Sequence, residues 1–355
     1  MKKLFLYIIC VSALLMSCNK DGDVTCDDNT ICIEVYGATS ISTRAHLYYD
    51  PDELDAYKDI KNEGQFKINA HLDNANNDFY IGSTGTPGSV TLHDNRWRFQ
   101  NTELEGNLVD FYWPNNSALN FMAYIPATLS ECAAEVSNIA YTKSGGFTFS
   151  AVMPQVINDR TEAERLAELA RKEFIYATRL AQNKEASVMM RFVHPFAVVK
   201  FRLSQSHRDL TIHDITLHNM SREGTFADGN DTMNEGQSAL TTGDWTGTDA
   251  SQTFIVNLEK NVPDDVNYGG SIGGPYLVIP QNIEDVTLTL KYSWDTKSNV
   301  TTTARLIATP LITEWQPGYV YTYVLDLGDN KEEVLFSVSV EEWIYEEYEQ
   351  GYELK

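Results

Sequence analysis

From residue 31 onward the chain is a succession of short runs in which apolar and polar side chains alternate. In ICIEVY, Ile31, Ile33 and Val35 point one way. The same period of two recurs in GQFKINAHL, SVTLHDNRWRFQ, GGFTFSAVMP, LTIHDITLHNM, VTLTLKYSW and VLFSVSVEEW. Such a period is what a half-buried β-strand requires, because successive side chains leave opposite faces of a sheet. FYIGS, LVDFYWP, ALNFMAYIP, TFIVNLE, PYLVIPQ, ARLIATPLI and YVYTYVLDL read as further strands, with turn residues between them. The expected fold is all-β. Two sets of roughly seven strands, divided near residue 186, predict two β-sandwich domains in series, residues 31–185 and 186–355. Each half is long enough to bury its own core.

One segment departs from this pattern. Thr161-Glu162-Ala163-Glu164 is a capping box, with Leu166, Leu169 and Ala170 following at helical spacing. This predicts a short connecting helix near 161–172, lying on a sheet.

The start of the chain is different again. Lys2 and Lys3 precede an apolar run, Leu4 to Met16, that is shorter than the ~20 residues of a membrane span. A positive start, a short apolar core and a small residue at the break mark a secretory signal. Leu15-Met16-Ser17-Cys18 looks like the lipobox of bacterial lipoproteins, which makes 1–17 a signal peptide and Cys18 a lipid attachment site. The other reading is an ordinary signal peptide with Cys18 as a passenger. Residues 18–30 read as a polar tether, and Asn19 to Asp23 resembles the charged export tract of surface-exposed lipoproteins of anaerobic Gram-negative bacteria. The formal net charge of −23 becomes about −25 once Lys2 and Lys3 are removed, so nucleic acid and anionic lipid are excluded as partners. Cys26, Cys32 and Cys132 remain, an odd number, without flanking His; they suit one disulfide, whose pairing stays open, and suit zinc poorly.

Residues that could carry chemistry are scattered. His194 in RFVHPF reads as a core-edge histidine bonded to backbone. His213 and His218 stand five apart in a strand, hence on opposite faces. Trp315-Gln316-Pro317-Gly318 is a turn, with Pro317 fixing φ and Gly318 taking the left-handed position. Tyr319, Tyr321 and Tyr323 line one strand face, as core or surface more readily than as a sugar platform. The acidic pairs Asp264-Asp265, Glu332-Glu333, Glu341-Glu342 and Glu346-Glu347 point to opposite faces if they lie in strands, and read as solvated charge. The loop 228–235 lacks a full calcium signature. No nucleophile elbow, phosphate loop or paired-His helix is present. The expectation is a protein with no catalytic residue, no metal and no cofactor.

Two stretches resemble a known family. KEFIYATRLAQNKEASVMMRFVHPFAVVKFRL joins an acidic-Phe-aliphatic-Tyr-Ala segment to Phe-x-His-x-x-Ala-x-Val-x-Phe. LITEWQPGYVYTYVLDLGDNKEEVLFSVSVEEW joins Trp-x-Pro-Gly-x-x-Tyr-x-Tyr to a last strand ending in Val-x-x-Trp. Together they resemble the fimbrillin superfamily, pilus and pilus-like subunits of anaerobic Gram-negative bacteria. The resemblance implies Greek-key, transthyretin-like sandwiches and a structural or adhesive role as stalk, tip or anchor of a surface filament. Its partners would be other fimbrial subunits, a host or bacterial surface ligand, and the outer membrane through the N-terminal lipid. It also implies proteolytic processing between Arg44 and Ala45, with Ile31, Ile33 and Val35 as the exchanged strand. Twelve residues, IYEEYEQGYELK, follow Trp343 and reach at most ~40 Å. That tail is short and charged for a donor segment, which leaves VLFSVSVEEW as the alternative donor. The competing readings are a lipoprotein that binds a glycan or host ligand on Trp97, Trp113 or Trp294 without polymerising, and a hydrolase on a β scaffold.

Overall fold

The computed structural model describes residues 29–35, 65–74, 76–83, 85–93, 96–101, 107–158, 164–165, 168–169, 172–184, 187–204, 210–232, 243–247, 249–261, 271–294, 297–306, 312–327 and 334–342. Cys18, Cys26, Arg44, Ala45, Thr161 and three of the acidic pairs lie outside the described residues. The strands begin with β1 (Ile33–Val35), β2 (Gln65–Leu72), β3 (Phe79–Ile81), β4 (Gly88–His93), β5 (Arg96–Gln100) and β6 (Leu108–Val109). Next come β7 (Leu119–Ile125), β8 (Glu135–Thr142), β9 (Gly146–Val152), β10 (Val156–Asn158), β11 (Ile175–Gln182) and β12 (Val188–Met190). After them run β13 (Ala197–Leu203), β14 (Leu210–Met220), β15 (Glu223–Asp228), β16 (Asp244–Gly247), β17 (Gln252–Asn261) and β18 (Ser271–Val278). The last are β19 (Gln281–Asn282), β20 (Thr287–Trp294), β21 (Lys297–Arg305), β22 (Glu314–Trp315), β23 (Tyr319–Leu327) and β24 (Val334–Glu342). The fold is all-β, as expected. Of the expected helix, Glu164, Arg165, Glu168, Leu169 and Lys172 are helical, with Leu169 buried.

The first sheet has nine strands, in the order β11-β7-β2-β4-β5-β1-β12, with β3 on β2 and β6 on β5. Its two ends turn toward each other. Just beyond β12, Val193 bonds both ways with Tyr176 of β11, at 2.8 and 3.3 Å. The sheet therefore curls around the first core, where Phe66, Ile68, Val90, Phe121 and Ala177 are fully buried. A second core fills the space between the sheet β10-β17-β14-β20-β21 and the sheet β18-β13-β23-β24.

A third core joins these two. The sheet β16-β15-β9-β8 covers the outer sides of β7 and β11 and also reaches β13, β18 and β23. That is why these strands are apolar on both faces. In β7, Phe121 and Ala123 enter the first core while Met122 and Tyr124 enter the third. In β13, Val199 and Phe201 enter the second core while Val198 enters the third. Continuous apolar runs are the expected mark of strands sandwiched between two layers.

Strand pairing runs across residue 186. β12 closes the first sheet, β15 pairs with β9, and β17 pairs in parallel with β10. The division expected from strand counting separates the chain there, but the sheets share strands across it. A second correction concerns the histidines of β14. The pairing with β20 shifts by one residue between Ile212 and Asp214. This bulge brings His213 onto Ser293 Oγ (2.7 Å) and His218 onto Thr289 Oγ1 (3.0 Å), two β20 residues on one face. One extra residue reverses a parity argument.

His71 gives a measurable pH signature. It is buried on β2, with its Nδ1 3.0 Å from Asn77 O and its ring 4.2 Å from the Phe79 ring. Burial pulls its pKa below the usual 6.5, although the Asn77 hydrogen bond opposes this. The unfolded chain thus binds the proton more readily than the folded one. Stability should fall as pH drops through about 6.5, by at most about 1.4 kcal/mol per pH unit, and level off below the folded pKa. Denaturant titrations of the wild type and His71→Gln at pH values either side of 6.5 check this. The difference in slope between the two proteins should vanish above that range.

Candidate functional site

The first described segment, residues 29–35, is threaded between two strands of the curled sheet. β1 pairs antiparallel with β5 at Ile33–Trp97 and parallel with β12 over its whole length, Ile33 opposite Val188 and Val35 opposite Met190. Further bonds tie it down. Ile31 N donates to Phe111 O (2.7 Å), Trp113 N to Asn29 O (2.9 Å) and Val188 N to Cys32 O (2.7 Å). The alternation read from the sequence determines its face. Ile31 and Ile33 are 3% and 4% exposed inside the first core, while Glu34 faces solvent and Val35 packs at the core's margin.

This placement has a clear energetic content. Burying each isoleucine contributes about 1.5–3 kcal/mol relative to exposure. The segment contributes two such side chains and also fills a place in a hydrogen-bond ladder. Taking it away would leave facing edges on β5 and β12 and an apolar channel beside Phe66, Val90, Phe99 and Phe192. A groove of that kind fits one occupant type: an extended segment with apolar residues at every second position.

The opposite terminus differs. The segment VLFSVSVEE forms β24, paired with β23 from Tyr319–Glu342 to Leu327–Val334, and Val338 is buried in the second core. In this structure it is an edge strand of its own sandwich and not an unattached donor. Val340, on the same strand, is an exposed large apolar side chain.

The remaining sequence-derived candidates resolve as structural groups. His194 is buried, and its Nδ1 lies 2.6 Å from Glu173 Oε1. A partner of its ring is thus a carboxylate. Glu173 stands in the same quoted motif, so the signal for this pair was a lone acid preceding Phe174. Tyr321 and Tyr323 are core residues. Burial pushes the Tyr321 hydroxyl up to about 12, and raises Tyr323 further. Tyr323 accepts a hydrogen bond from Trp315 Nε1 at 3.0 Å. Gly318 has φ +75° in the expected turn, and its N–H donates to Phe196 O. Trp113 is buried, Trp97 packs on Phe66, and Trp294 lies under Lys297, so these three do not form one aromatic platform.

Loop 228–235 begins with carboxylates engaged by protein. Tyr176 donates to Asp228 Oδ2 at 2.5 Å, and Asn230 N donates to Oδ1 at 2.9 Å. Arg179 and Leu180 N hold Asp231, each at 3.0 Å. No group of metal-binding side chains occurs among the described residues, and no described helix is long and apolar enough to cross a membrane. Cys32 is disulfide-bonded, to a residue outside those described, whereas Cys132 keeps its thiol. The strand run VMMRFVHPFAVVKFRL divides into β12 and β13, and the Arg179–Asp231 pair is what sequence reading missed. Nothing in a single sequence links positions 52 apart.

The sequence model of a family described as fimbrillin-like matches residues 73–343. No curated protein sequence matches the chain significantly. Among solved structures, a fimbrial protein from Bacteroides vulgatus is 14% identical, with 89% of this chain and 99% of that one covered and a TM-score of 0.47. A protein from Bacteroides uniformis assigned to cell adhesion is 13% identical, with 90% and 99% covered and a TM-score of 0.48.

Proposed function

The chain belongs to the fimbrillin-like family, and from that premise we propose that it is a filament subunit whose first strand is replaced by a neighbour's during assembly. The family is one of structural and adhesive surface proteins, not enzymes. In this reading the precursor is exported as a lipoprotein held by Cys18 and anchored in the outer membrane. Cleavage between Arg44 and Ala45 separates residues 18–44 from the rest, and β1 leaves with them. The channel between β5 and β12 then receives an extended segment of another subunit. One such contact per subunit, repeated head to tail, builds a fibre.

The observation that supports this reading most is the position of β1: on the N-terminal side of Arg44, internal to a sheet, and buried through Ile31 and Ile33. The Cys132 thiol supports it as well, since a bridge to Cys132 would tether the departing segment. β24 is already paired with β23 and would have to be released to act as a donor.

A trypsin-like, Arg-specific protease applied to the purified precursor provides the test. Expected is loss of the N-terminal fragment followed by a ladder of SDS-resistant multimers and fibres in electron micrographs. A cleanly cleaved product that stays monomeric at high concentration would overturn strand replacement and leave a monomeric adhesin.

A further inference from the structure

We propose that a cleft formed by β16, the β19–β22 ribbon and the start of β23 binds a neutral glycan. The cleft has a volume of about 450 Å³, within the range of small-molecule sites and roomy enough for a disaccharide. It is separate from the β1 channel and does not depend on assembly.

Its walls carry two aromatic rings. Trp245 comes from β16 and Tyr319 from β23, and both are half-buried. The Trp245 indole is fixed in place. Its Nε1 donates to Pro195 O at 2.6 Å, and its ring packs 5.3–5.4 Å from Phe149, Phe196 and Phe226. Tyr319 packs against Tyr321 at 6.4 Å. A ring immobilised before binding loses little side-chain entropy when a sugar stacks on it.

The same cleft is lined by planar polar groups suited to hydroxyls. Asp244, Asn282, Glu314 and Gln316 are exposed at the cleft. The Gln316 amide donates to the Glu314 carboxylate, and Gln316 N donates to Tyr321 Oη at 2.8 Å. Gln281 is pinned from behind. Its Oε1 accepts from Ser221 N at 2.6 Å, and its Nε2 donates to Ser221 O and Ile279 O, each at 2.9 Å. Carboxylates accept from vicinal hydroxyls as charge-assisted hydrogen bonds.

Charge selects the ligand class. The lining includes two carboxylates, Asp244 and Glu314, and no Lys or Arg, on a chain of net charge −23. A sialylated or sulfated sugar would meet like charge there. The geometry therefore points to uncharged hexose-containing glycans.

Titration of the full-length chain with lactose, maltose, cellobiose and mannobiose, followed through the Trp245 indole N–H resonance, tests the site. At least one neutral disaccharide should give a saturable shift. Glu314→Ala combined with Asp244→Ala should weaken it at least tenfold, as loss of a charge-assisted bond implies. Both side chains are exposed, so these changes leave the cores intact. Sialyllactose should bind at least tenfold more weakly than the neutral ligand. Absence of any neutral-sugar shift, binding unchanged in the double variant, or a preference for sialyllactose would each overturn the assignment. The readout comes from the uncleaved protein, so failed assembly cannot be mistaken for a failed site.

Discussion

A chain carrying Ile33→Asp should lose its first strand from the sheet without any protease. The position is 4% exposed, pairs with Val188 and Trp97 on the flanking strands, and belongs to the core that holds Phe66. An unpaired carboxylate there costs about 3–5 kcal/mol, the scale of an uncompensated buried charge. That exceeds the roughly 1.5–3 kcal/mol an isoleucine gains from burial. The strand should therefore leave its place while the rest of the fold persists, because the third core does not include β1. Hydrogen exchange should show loss of protection at Ile31, Val35 and Val188, whose amides lie along this contact. Native gels should show multimers forming from uncut protein. Glu34→Ala, a change on the exposed side of the same strand, is the control and should do neither. Full amide protection in the Ile33→Asp chain would show that β1 is not a separable unit.

Phe149→Ala should be the most damaging single truncation elsewhere. Phe149 is fully buried, with ring centroids of Phe174 at 4.7 Å, Phe226 at 5.1 Å, Trp245 at 5.4 Å and Phe196 at 6.1 Å. Deleting a ring from such a site costs about 3–5 kcal/mol through lost transfer energy and the cavity left behind. Its neighbours come from β15, β16 and the segments just before β11 and β13, so both halves of the chain should lose stability together. Chemical denaturation should show one transition displaced to lower denaturant. Two separated transitions, only one of them displaced, would mean the halves unfold independently.

How much of this was legible in the sequence depends on which force governs each feature. The alternation in GQFKINAHL and VTLTLKYSW located β2 and β20, because a strand facing one core must repeat every second residue, whereas β13 stood out as an apolar run. Ile31, Ile33 and Val35 were correctly placed on one strand face for the same reason, although Val35 lies at the margin. Strands without that constraint were hidden. β21, KSNVTTTAR, is an edge strand polar on both sides, and β16 is four residues of DWTG. Strand partners were hidden too, since pairing across residue 186 follows from tertiary packing and leaves no local mark. The His213 bulge shows the limit of parity: one inserted residue moves a side chain to the other face. For the cleft, Tyr319 was noticed as part of a stripe, but Trp245 and Asn282 had no local signal. They come together through three separate strand pairings.

The shared aromatic layer between the two sandwiches bears on mechanics. Modules strung on a polar linker swivel, and a tug on one end is first spent in straightening the joint. Here the joint is interdigitated rings from β7, β9, β11 and β15, joined by Phe174 and Phe196 just before β11 and β13. Tension applied at one end would pass to the other through packed side chains under shear, with no slack to take up.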